Sequence, residues 1–105
     1  MTDTYDRPAL LLSLLRGLLS EVHPSLRQAS VEADPEAKIV RVLFEYDGSP
    51  SPMALESGSC VAGQVLGDFP ADWDVDERHV AVAYPNELSG LTHIGYRRWE
   101  PVDAA

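Results

Sequence analysis

One cysteine, Cys60, and only eight basic residues in a chain of 105 set the first limits. A lone thiol excludes an internal disulfide, so packing alone must hold the fold, which suits a reducing cytoplasm. It also excludes the C-x2-C spacing of structural zinc, and the three scattered histidines form no H-x3–5-H pair. Eight bases against seventeen acids give a net charge of −9. That balance argues against nucleic acid as a direct partner, because phosphate binding needs a basic surface, and against an anionic membrane. No glycine-rich phosphate loop of the Walker or Rossmann type is present. No apolar run approaches a membrane span. The leucine-rich "RPALLLSLLRGLLSEV" lacks the positive flank of an export signal: Asp3 and Asp6 precede it and Arg16 interrupts it. It reads as a folded helix.

What is present is an ordinary globular composition, 45% hydrophobic and 24% charged, expected to form one domain over residues 1–105. Asp6 and Pro8 open the first helix. Leu11, Leu14, Leu15, Leu18 and Val22 form its apolar stripe. Leu10, Leu12 and Leu19 widen that stripe, which predicts a well-buried helix ending at His23-Pro24. "SLRQASVEA" and "KIVRVLFEY" flank the turn "DPEA" and read as a hairpin. In its second strand Val40, Val42, Phe44 and Tyr46 share one face, and Ile39, Arg41, Leu43 and Glu45 the other.

Ser51 and Pro52 open a second helix to about Leu66, with Leu55, Ala62, Val65, Leu66 and Phe69 on its apolar side. "RHVAVAY" and "THIGYRRWE", joined through "PNELSG", supply a second hairpin. The order α-β-β-α-β-β predicts an α+β fold: a four-stranded antiparallel sheet with both helices on one face. The other face must be solvated or covered by a partner.

The stretch "SGSCVAGQVLGDFPADWDVDE" carries most of the candidate chemistry. Cys60 lies mid-helix beside Val61 and Ala62, the setting of a small buried side chain and not of a thiolate nucleophile activated by His79 or His93. Asp72, Asp74 and Asp76 match the first acidic positions of an EF-hand loop. Glu77 then stands where that loop needs glycine, and Ala83 where it needs the bidentate glutamate. No metal or other cofactor is implied. The acids read instead as a surface for a basic protein, with Trp73 either tucked into the core or offered as an anchor.

The segment "SCVAGQVLGDFP" (Ser59 to Pro70) is similar to the Ser-Cys-Val-Ala…Val-x-x-Asp-Phe-Pro pattern of CdiI-type immunity proteins of contact-dependent growth inhibition systems. "VLFEYDG", "YRRWE" and the opening helix with "HPSLR" match the same family in position, from about Leu10 to Glu100. Gly63, Gly67 and "SPSPM" depart from its pattern. The resemblance implies a non-enzymatic cytoplasmic inhibitor that binds the C-terminal domain of a cognate polymorphic toxin, often a nuclease with a basic cleft. The expected contact residues are Asp68, Asp72, Trp73, Asp74, Asp76 and Glu77, then Glu45 and Asp47. The alternative is a small adaptor or homodimeric module using an open sheet face, without a toxin partner. Oligomeric state is left open.

Overall fold

A computed structural model describes residues 5–101; Asp3 lies outside them. Helix α1 spans Arg7–Leu18, capped by the Asp6 carboxylate, which accepts from the Ala9 N–H at 3.1 Å. It stops short of His23-Pro24 because Leu19 leaves helical geometry and Ser20 turns into the left-handed region at φ 65°. Helix α2 spans Pro52–Leu66, as its Ser51 cap and leading proline predict. The Ser51 hydroxyl accepts from the Ala54 N–H at 3.1 Å.

Four strands form one sheet: β1 Leu26–Asp34, β2 Ile39–Tyr46, β3 Asp74–Ala81 and β4 His93–Arg97. The order across it is β3-β2-β1-β4. The α+β class, the element order and the β1–β2 hairpin stand as expected. The sheet itself is mixed and not wholly antiparallel, since β3 runs parallel to β2. The reason is α2: a helical crossover returns the chain to the end of the sheet where β2 began, as a parallel pair requires. The expected second hairpin does not form. β3 and β4 lie at opposite edges, and β4 pairs antiparallel with β1.

One sheet face is apolar. Leu26, Ala29, Val31, Val40, Val42, Phe44 and Tyr46 pack with Leu10, Leu14, Leu18, Val61 and Val65 into the core. α2 buries Ala54, Gly58, Val61, Ala62 and Val65 at helical spacing. Leu55 and Cys60 fall outside that stripe, so Cys60 is exposed, contrary to the expected buried thiol. A Cβ on Gly17 would stand 3.1 Å from Val61, which marks a close approach of the two helices. α1 buries only Leu10, Ser13, Leu14, Gly17 and Leu18. Leu12, Leu15 and Leu19 stand on its far side, 54%, 48% and 73% exposed. The expectation of a well-buried helix with a widened stripe therefore fails at Leu12, Leu15 and Leu19, because sheet and α2 occupy only one sector of it.

The opposite sheet face is partly covered by the chain itself. Residues 82–92 cross it from β3 to β4. On the way the N–H groups of Ser89 and Gly90 donate to the Glu45 carboxylate at 2.7 and 3.0 Å, and Leu91 N–H donates to the Ser30 hydroxyl at 2.9 Å.

Candidate functional site

The acidic stretch is only half a loop. Asp74, Asp76 and Glu77 belong to β3, although aspartate is depleted in strands in general. An edge position tolerates them, since their side chains still reach water. The register sets their faces: Val42 pairs with Glu77 and Phe44 with His79, while Ile39 pairs with Asp74 and Arg41 with Asp76. Glu77 and His79 thus sit on the helix side, Asp74 and Asp76 on the other.

On that other side Arg41 stands among three carboxylates, 3.5 Å from Glu32, 3.6 Å from Asp34 and 3.9 Å from Asp76. Arg78 reaches Asp76 at 3.2 Å. Glu32, Arg41, Asp76 and Arg78, together with Leu43, Val80 and Leu91, line a shallow groove of about 330 Å³ between β3 and residues 89–91.

On the helix side, Glu77 accepts from the Ser59 hydroxyl at 2.8 Å and contacts His79 Nε2 at 2.7 Å. A carboxylate can only accept, so its partner assigns the imidazole proton to Nε2. His79 Nδ1 lies 3.0 Å from the Tyr46 hydroxyl, and the ring stacks on Phe44 at 5.0 Å. Burial, with the Glu77 charge second, pushes the Tyr46 phenol up to about 12. A Cβ on Gly58 would come within 2.5 Å of His79 and 2.9 Å of the Tyr46 oxygen. Only glycine lets α2 lie this close to β3.

The remaining expected contacts are dispersed. Asp68, just beyond α2, accepts from the Ser13 hydroxyl at 2.7 Å and from Arg16 at 2.9 Å. The hydroxyl first, then the guanidinium, hold its carboxyl below the usual range. Asp72 pairs with Lys38, whose hydrogen bond lowers it likewise. Trp73 is 9% exposed and packs against Phe69 and Tyr5, with ring centroids 4.7 and 4.6 Å away. It is tucked into the core and not offered outward.

Glu45 has no exposed surface: besides Ser89 and Gly90 it accepts from Gln28 Nε2 at 3.0 Å. Burial removes it from any contact surface. Asp47 is exposed but occupied by the Tyr84 N–H and Arg98, which lower its carboxyl in that order. What the structure does bring together is Asp72, Asp74, Asp76 and Glu77, at and along the β3 edge of the sheet.

Cys60 is pushed up by desolvation and by the Glu21 and Glu56 carboxylates, the reverse of what a thiolate nucleophile requires. Among the described residues no three His, Cys, Asp or Glu side chains converge as metal ligands. Among the same residues no helix is long and apolar enough to cross a membrane.

Sequence reasoning passed over one surface feature, the leucine ridge of α1. Its signal was the presence of leucine on every side of the helix, which a single buried sector cannot absorb.

No curated protein matches the chain. A family model described as MafI2 immunity protein matches residues 7–100. The expected kinship thus holds at the level of immunity proteins of polymorphic toxin systems and is not specific to the CdiI type.

Proposed function

The chain belongs to the MafI2 immunity protein family, and from that premise we propose that it binds and neutralises the toxin domain of its own system through the acidic β3 side of the sheet. The observation that carries this reading is the gathering of Asp72, Asp74, Asp76 and Glu77 at one edge of a chain with net charge −9. Asp68 and Asp47 extend the exposed acidic surface towards α1 and the far end of β2. Such a field accelerates encounter with a basic partner and opposes acidic ones. It suits a toxin whose substrate cleft is basic, as that of a nuclease is. The inhibitor then works by occupying the cleft, without catalysis of its own, in the cytoplasm of the producing cell.

The test is a titration against the toxin domain encoded immediately upstream, with association followed at low and high salt. The expected result is tight binding whose association slows as salt rises, and slows again in a double variant Asp74→Asn/Asp76→Asn. No binding between two folded proteins would overturn the reading.

The exposed Leu12, Leu15 and Leu19 favour a second reading, an apolar interface on α1. Tight binding indifferent to salt would move the toxin to that ridge. Concentration-dependent self-association, lost on Leu19→Ser, would instead mark a homodimeric module.

A further inference from the structure

The open edge of β3 has a regular backbone pattern. Asp74 N–H donates to Lys38 O at 2.9 Å and Val82 N–H to Tyr46 O at 2.7 Å, which fixes the alternation along the strand. Even-numbered residues of β3 turn their backbone groups to β2, and Val75, Glu77, His79 and Ala81 turn theirs to the open edge. The Val75 N–H is taken by the Asp74 side chain at 3.1 Å. Among the described residues, the outward N–H groups of Glu77, His79 and Ala81 have no partner. Eight residues pair with β2 in register, with no shift along the ladder. A straight edge with free donors is a template for one more strand.

The side chains decide which strand it accepts. Asp72, Asp74, Asp76 and Glu77 flank the edge; Lys38 pairs with Asp72, Arg41 and Arg78 reach Asp76, and His79 lies against Glu77, while among the described residues no ion pair reaches Asp74. A second copy of this chain brings the same carboxylates and the same charge of −9, so like charges meet at close range. A strand rich in lysine and arginine brings the complement. We infer that the toxin docks by adding a basic strand to the edge of β3, an inference that rests on the toxin-neutralising reading above. Backbone hydrogen bonds then supply the shared geometry, and the alternate acidic side chains select for basic residues on the incoming strand.

The experiment is amide hydrogen exchange on the full chain, free and mixed with the upstream-encoded toxin domain, with complex formation followed separately by size exclusion. In the free protein the Glu77, His79 and Ala81 amides should exchange fast. In the complex they should slow by at least about tenfold, as hydrogen-bonded amides do. A complex that forms while these three amides exchange at their free rates, or protects only α1, overturns strand addition and leaves the toxin reading standing. Absence of any complex overturns both.

Ala81→Pro removes one outward donor at an exposed position without touching the ladder to β2. Folded Ala81→Pro protein should bind at least about tenfold more weakly. Unchanged affinity in that folded variant would also overturn the proposal. Should it fail to fold, the exchange measurement on the native chain decides alone.

Discussion

The two edges of this sheet are built on opposite plans. β4 is five residues long, broken by a register shift at Gly95, and followed at once by a charged clamp. The clamp is Arg27, the extra residue where the β1–β2 register shifts. Its guanidinium donates to both Glu100 oxygens at 2.6 and 2.9 Å, to Val82 O at 2.7 Å and to Asn86 O at 2.9 Å. A short, bulged, pinned edge is one that refuses further pairing. β3 is eight residues long and regular, and is guarded by charge alone. Geometry closes an edge to every partner. Charge closes it only to partners of the same sign.

The largest way to break this contrast is at the pinned edge. Arg27→Ala leaves Val82 O and Asn86 O without that donor and the mostly buried Glu100 with Arg98 alone, at 3.0 Å. Removing one member of a buried pair should cost about 3–5 kcal/mol, read as a lowered denaturant midpoint. The β3 amides of a folded remnant should exchange as before.

A smaller effect is expected at the open edge. In Gly58→Ala the new methyl meets a histidine fixed by stacking on Phe44 and by contacts to Glu77 and Tyr46. Overpacking of this kind should cost about 1–3 kcal/mol. Gly63→Ala is the natural control, since nothing lies within 4 Å of its added methyl.

The smallest effect is acid sensitivity. Its hydrogen bond from Arg27 holds the Glu100 carboxyl below the usual glutamate value. A carboxyl lowered on folding stabilises the protein fully above its unfolded value, and that stabilisation is lost as pH falls through the folded one. The stability gap between the native chain and Glu100→Gln should therefore be constant near neutrality. It should close as pH drops below roughly 4, measured by urea denaturation at stepped pH.

How far the fold was legible follows from the range of the forces involved. Both helix starts, the bounds of α2 and the two faces of β2 are local matters of capping and alternation, and the residues declare them. Strand partnership is not local. "RHVAVAY" reads as a strand in either direction, and nothing within it says that its neighbour is β2 and not β4. The sequence around Trp73 does not decide its burial, because its aromatic partners, Tyr5 and Phe69, include one from the far end of the chain. Glu45 looked available because its donors, Ser89 and Gly90, lie some forty-five residues later. Cys60 and the α1 ridge were misplaced for a shared reason: apolar composition marks a helix, but only the packed neighbours choose which of its sides is hidden.

The crossing segment 82–92 has one more consequence. β1, at the middle of the sheet, gains its second neighbour only when Arg97 reaches Gln28, whose side chains are 2.8 Å apart across a gap of 69 positions. The chain must close that long circuit before its central strand is paired on both sides, and non-local closure of this kind slows folding. In this immunity-family chain, the delay between synthesis and a fully paired sheet is written into the path of one loop.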